Sequence, residues 1–102
     1  MNRLHSILPA LFLLTISVSA HAALQVVTTT QDLAALVATV GGEYVQVQSL
    51  TPGTSDPHFA VAKPSMIRKV FRADLLLIIG ADMEIGWLPP LLQAARNTRV
   101  QP

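Results

Sequence analysis

Residues 75–79, Leu-Leu-Leu-Ile-Ile, decide the fold of this chain. Successive side chains of an extended strand point to opposite faces of a sheet, so an unbroken apolar run predicts a strand covered on both faces. Such strands are typical of parallel sheets flanked by helices, and Gly80 ends the run. We therefore expect an α/β protein.

A helix is predicted on each side of this strand. The preceding helix begins at Ser65, whose hydroxyl can accept a hydrogen bond from the first turn, and ends near Ala73. The spacing places three apolar residues inward and three basic residues in water: Ile67, Val70 and Phe71, and Arg68, Lys69 and Arg72. The following helix has Pro89 and Pro90 in its first turn, and Asn97 can adopt the left-handed conformation at its end.

The first half of the chain repeats the alternation of strand and helix. Residues 24–29 predict a strand, Thr30 caps a helix that Gly41-Gly42 ends, and residues 44–50 predict a second strand. The helix carries apolar residues at one-face spacing, namely Leu33, Leu36, Val37 and Val40. The order βαβαβα predicts a parallel sheet with right-handed crossovers and helices on both faces.

The N-terminus predicts a cleavable secretory signal over residues 1–22. A positive start at Arg3 precedes an apolar stretch over residues 7–18, and small residues follow at 20–22. The stretch is too short for a bilayer, which takes roughly 20 residues to cross. We expect cleavage after Ala22 and a protein that acts outside the cytoplasm. Because the chain has no cysteine for a lipid anchor, the sequence favours a soluble form over a lipoprotein.

The predicted mature chain is electrically neutral and short. Loss of Arg3 leaves six basic and six acidic side chains, so neither nucleic acid nor an anionic membrane is an expected partner. Domains of about 60 to 80 residues bury only about 60% of their unfolded surface, and this chain has no disulfide to compensate. We therefore expect residues 23–102 to be a fragment of a larger α/β domain.

Ligands of open α/β sheets collect beyond the carboxyl ends of the strands. The loops expected there span residues 28–30, 54–58 and 80–87, and the second of them holds His58, the one histidine left after cleavage. A neutral imidazole can bind Zn²⁺ or Mn²⁺, although a lone loop histidine is more often simply solvated. Asp56 could either accept the other ring N–H or serve the turn.

An enzyme is not expected from these residues. Ser55, Asp56 and His58 are hydrolase residue types, but a nucleophile, a base and an orienting acid converge from separate elements and not from one short loop. No glycine-rich dinucleotide or phosphate motif follows a strand. Glu84 could close the site or orient a ligand, yet an exposed loop carboxylate is favoured, and Trp87 is expected to pack.

A series of motifs in order resembles one known family: Thr28-Thr29-Thr30, Thr51-Pro52-Gly53, Asp56-Pro57-His58, Pro64-Ser65, Ala73-Asp74-Leu75, then Gly80, Glu84 and Trp87. The chain looks like the N-terminal part of a periplasmic zinc/manganese solute-binding protein of an ABC transporter. The resemblance implies two α/β lobes joined by a long helix, with the metal in the cleft and His58 as the first ligand. The other ligands would follow Pro102, and the partner would be a membrane permease.

Two departures from the family pattern concern the surroundings of His58. Met66 stands where relatives often carry aspartate, and Phe59-Ala60-Val61 replaces a more polar stretch. Both put the metal preference in doubt, and one imidazole suits zinc and manganese alike. The resemblance implies a monomer at full length. The alternative is an exported adhesion or binding module that uses the same scaffold for another ligand.

Overall fold

The computed structural model describes residues 21–101, so residues 1–20 of the predicted signal lie outside the described part. Six main elements follow in chain order: β1 (Leu24–Thr28), α1 (Gln31–Gly41), β2 (Val45–Ser49), α2 (Pro64–Arg72), β3 (Leu75–Leu77) and α3 (Leu88–Ala95). Two 3₁₀ turns add Gly42–Tyr44 and Pro57–Phe59. None of the helices described is both long enough and apolar enough to span a bilayer.

The three strands form a parallel sheet with β1 in the centre, in the order β2-β1-β3. The chain moves one way from β1 to β2 and the opposite way from β2 to β3, so right-handed crossovers place α1 and α2 on opposite faces. Val26 and Val27 are both buried, but only Val27 belongs to the cluster formed with α2 and α3. The predicted α/β fold, with helices on both faces, is confirmed.

The main core lies between β1, α2 and α3. Its buried members are Val27, Leu50, Met66, Val70, Ala73, Trp87, Leu88, Leu91 and Ala95. Phe71, which we expected to point inward, is 60% exposed, and Met66 takes the inner position instead. Met66, Val70 and Ala73 follow the spacing of one helical face. The helix starts at Pro64, with Lys63 before it, and not at Ser65.

Helix α1 forms as predicted but buries less of its apolar face than its pattern suggests. The Thr30 hydroxyl accepts a hydrogen bond from the Leu33 N–H, and Gly42 ends the helix with a positive φ of 51°. Leu33 is half-buried, whereas Leu36 is 63% and Val40 89% exposed. The spacing of the apolar residues predicted the helix correctly, but only part of its apolar face packs against the sheet in the described chain.

Strand β3 is shorter and more exposed than the apolar run predicted. It covers three residues and pairs with β1 alone in the described part of the chain. Leu75 is 45% exposed, and Ile78 and Ile79, which follow the strand, are 50% and 43% exposed. The expectation of a strand covered on both faces is therefore wrong for the described chain, because Leu76 packs against the core whereas Leu75, on the opposite face, is exposed.

The end of α3 differs from the prediction by one residue. Arg96, with φ of 51°, adopts the left-handed conformation that we assigned to Asn97. Asn97 is buried, and its side-chain N–H₂ donates to three carbonyls at the end of α2: Val70 at 2.8 Å, Phe71 at 3.2 Å and Ala73 at 2.7 Å. Asn97 thus adds a donor at the C-terminus of α2, where a helix leaves carbonyls unpaired, although the Val70 carbonyl also accepts from the Ala73 N–H at 3.1 Å.

Candidate metal site

Threonines connect the carboxyl ends of β1 and β2. Thr28, Thr29 and Thr51 are buried. The Thr51 hydroxyl donates to the Thr29 carbonyl at 2.6 Å, and the Thr28 hydroxyl donates to the Thr30 carbonyl at 2.7 Å. These bonds pair polar groups that would be costly to bury alone, so the sheet edge expected to carry the site is well ordered by its own hydrogen bonds.

Glu84 is buried beneath this edge and is not the exposed carboxylate that we favoured. Only 4% of the residue is exposed to solvent. The carboxylate accepts hydrogen bonds from the Thr29 hydroxyl at 2.6 Å, the Ile79 N–H at 2.6 Å and the Gly80 N–H at 3.1 Å. Glu84 therefore joins the end of β1 to the chain that leaves β3.

His58 lies in the 3₁₀ turn Pro57–Phe59, which follows the β2 end of the sheet. Asp56 precedes the turn, and one carboxylate oxygen, Oδ1, contacts both the His58 backbone N–H at 2.9 Å and the ring Nδ1 at 2.7 Å. Both interpretations of Asp56 left open by the sequence, a turn residue and a partner of the imidazole, thus hold together. The imidazole is half exposed.

The contact with Asp56 has a chemical consequence for the imidazole. A neutral ring carries one proton, and a carboxylate at Nδ1 holds that proton there. The lone pair is then on Nε2, where it can bind a metal ion. In the described chain the Ser55 hydroxyl makes no hydrogen bond with the His58 ring, whose partner is Asp56, so these residues do not form the serine–histidine pair of a hydrolase.

We expect Asp56 to titrate below its ordinary value. The pKa of Asp56 is lowered from 3.8, chiefly because its carboxylate accepts the His58 backbone N–H and then because it contacts the ring. The contact to the turn is therefore present at neutral pH and is lost as the pH falls through this lowered pKa. A carboxyl ¹³C titration by NMR should give a midpoint below 3.8. A midpoint at or above that value would contradict the contact.

Trp87 connects the loop after β3 to the His58 turn. Its ring packs in the core, as predicted, and the residue is 3% exposed. Its indole Nε1–H donates to the Pro57 carbonyl at 2.7 Å, a bond that we did not predict. A buried tryptophan N–H usually finds an acceptor, so the sequence signalled that a partner exists without showing which carbonyl it is.

The described residues do not by themselves form a closed metal site. Within residues 21–101, no group of three or more histidine, cysteine, aspartate or glutamate side chains is close enough to hold one ion. A closed metal site in a protein takes about four ligands. Glu84 is also poorly placed for direct ligation, because it is buried and its Oε1 already accepts two hydrogen bonds. His58 is thus the one candidate ligand that the geometry retains among those predicted.

Comparison with known proteins gives consistent matches. Residues 26–102 match the family model described as the periplasmic zinc-uptake complex component A. A manganese ABC transporter substrate-binding lipoprotein, PsaA of Streptococcus pneumoniae, is 32% identical over 81% of this chain and 28% of its own length. The manganese-binding lipoprotein MntA of Bacillus subtilis is 36% identical over 74% of this chain and 24% of its own length.

A solved structure gives the same relationship. The crystal structure of ZnuA superposes with a TM-score of 0.69 and 28% identity, over 78% of this chain and 31% of that chain. Together, these matches show that the chain spans less than a third of the length of each relative.

Proposed function

The chain belongs to the family of periplasmic zinc-uptake complex component A proteins, and we propose that it captures a divalent metal ion through His58 for delivery to an ABC transporter permease. Zinc is the proposed cargo, with manganese as the alternative, because the family is described by zinc uptake and several relatives are named for manganese. The role is binding and transfer of the ion, not catalysis. The proposed place of action is the periplasm.

The observation that carries this proposal is the contact between Asp56 and the His58 ring. Histidines that bind metal usually give their other ring N–H to a carboxylate or carbonyl, which fixes the ring and makes the ligating nitrogen more basic. In this chain Asp56 Oδ1 lies 2.7 Å from Nδ1, in a loop that follows a strand end of a parallel sheet. This arrangement supports His58 as a ligand through Nε2.

The remaining parts of the proposal follow from the family and its resemblance to this sequence. Residues 23–102 would form the N-terminal lobe, the signal would be removed after Ala22, and further ligands would come from chain beyond Pro102. An ion held between two lobes can be released when the lobes separate, which suits transfer to a permease better than a closed structural site would. We expect the full-length protein to act as a monomer.

Paramagnetic NMR on the full ¹⁵N-labelled chain tests His58 as a ligand, even if binding is weak. Added Mn²⁺ is expected to broaden the amide signals of Asp56, His58 and Phe59 most, since these residues form the turn. Excess Zn²⁺ should restore them by competition. His58→Ala should weaken the apparent affinity for Mn²⁺ at least tenfold, since removing even an indirect contributor to a metal site costs about 10- to 100-fold.

Glu43→Ala is the matched control, because it removes an exposed carboxylate that could bind a metal ion and leaves the His58 turn unchanged. Its titration should coincide with that of the unmodified chain. Broadening at residues 56–59 that survives in His58→Ala would remove His58 from the site. Broadening that disappears in Glu43→Ala instead would place the ion elsewhere.

A further inference from the structure

A hydrogen bond joins the His58 turn to a loop that is distant in sequence. The loop between β3 and α3, residues 78–87, ends in Trp87, whose indole N–H donates to the Pro57 carbonyl at 2.7 Å. Gly86 also approaches the turn, since a Cβ atom at this position would lie 3.9 Å from the His58 carbonyl oxygen. The carbonyl groups on both sides of the His58 backbone N–H therefore face this loop.

The loop itself is held in an unusual conformation. Gly80, Ala81 and Asp82 have consecutive positive φ angles of 79°, 52° and 62°, a conformation that costs free energy for residues with a Cβ atom. Such backbone persists only where the surroundings determine it. Here the Glu84 carboxylate holds the Ile79 and Gly80 N–H groups, and the Met83 N–H donates to the Gly80 carbonyl at 3.1 Å.

We propose that this loop positions His58 for metal binding, with Trp87 as the positioning residue and Glu84 as the anchor of the loop. The inference rests on the proposed function, in which His58 binds the ion. Asp56 and Trp87 have separate roles in it. Asp56 orients the ring within the turn, whereas Trp87 fixes the turn against the core and so sets where Nε2 stands relative to the sheet edge.

A substitution at Trp87 can distinguish a positioning role from simple packing. Trp87→Phe keeps an aromatic ring in the core but removes the N–H that reaches Pro57. We expect the His58 amide to exchange its hydrogen faster and the affinity for Mn²⁺ to fall about three- to tenfold, the equivalent of one hydrogen bond. The ¹⁵N shifts of the His58 ring should stay unchanged, because Asp56 still holds Nδ1.

Leu91→Val is the matched control for packing. Leu91 is 1% exposed and belongs to the same core cluster as Trp87, but its side chain cannot donate a hydrogen bond. It should destabilise the core without changing exchange at His58 or the affinity for Mn²⁺. If Trp87→Phe changes both measurements no more than Leu91→Val does, Trp87 only packs and the inference is overturned.

A measurement on the unmodified chain covers the case in which Trp87→Phe does not fold. If the indole hydrogen bond favours metal binding, metal binding must strengthen that bond by the same factor. Saturating Zn²⁺ should therefore slow exchange of the Trp87 Nε1–H about three- to tenfold. Unchanged indole exchange in a chain whose Zn²⁺ binding requires His58 would overturn the positioning role alone. Binding that does not require His58 would instead overturn the proposed function.

Discussion

Glu84→Ala is expected to lower the free energy of unfolding by about 3–4 kcal/mol, the range for breaking a buried hydrogen-bonded charge network. The substitution leaves the Thr29 hydroxyl and the Ile79 and Gly80 N–H groups without their acceptor. It also releases the left-handed segment that follows β3. Urea unfolding monitored by fluorescence of Trp87, the single tryptophan of the chain, measures the change.

Two further variants make this test specific. Glu43→Ala removes an exposed carboxylate from the 3₁₀ turn after α1 and should change stability by no more than about 0.5 kcal/mol. Glu84→Gln should fall between the two, because a carboxamide keeps one acceptor oxygen but turns a donor toward one of the N–H groups. A loss below about 1 kcal/mol in Glu84→Ala would show that the carboxylate does not hold this loop.

Asn97→Ala should lower the free energy of unfolding by about 2–3 kcal/mol. Asn97 is 6% exposed and donates to the carbonyls of Val70 and Ala73, both of which belong to buried residues at the end of α2. Alanine leaves the Ala73 carbonyl without its donor in the core and leaves the Val70 carbonyl with the Ala73 N–H alone. Thermal and urea unfolding should both detect the loss.

Arg96→Gly is the control for the same connection. Arg96 holds a positive φ of 51°, which glycine adopts without the Cβ penalty, so this neighbouring change should raise stability by up to about 1 kcal/mol. We therefore expect the free energy of unfolding to rise in Arg96→Gly and to fall in Asn97→Ala. If Asn97→Ala costs no more than an exposed substitution, the carboxamide does not satisfy the end of α2.

The elements that could be predicted from sequence are those encoded by local signals. The Thr30 cap, the glycine end of α1 and the Pro89 start of α3 depend on residues within one or two turns, and the structure confirms them. The inner face of α2 was assigned incorrectly, because Phe71 is exposed while Met66 is buried. Which apolar residue enters a core depends on the elements packed against the helix, which local spacing does not contain.

In the candidate site, too, contacts between residues close in sequence could be predicted and contacts between distant residues could not. Asp56 and His58 are two residues apart, so their contact could be anticipated from the turn, whereas the bond between Thr29 and Glu84 spans 55 positions. A carboxylate is seldom buried, so the general tendency favoured exposure and gave the wrong answer for Glu84. The acceptor of Trp87, 30 positions away, likewise depends on how two loops meet at the sheet edge.

The edge position of β3 bears on how the protein must be handled. One side of the strand bonds to β1, and its side chains include Leu75, which is 45% exposed. In the described part of the chain the other side of β3 has no strand partner, and unpaired backbone groups beside exposed leucine form a template on which another chain can add a strand. None of the three residues of β3 is charged or proline, the residue types that commonly guard such an edge. Dilute samples and early checks for aggregates therefore suit this protein better than concentrated stocks.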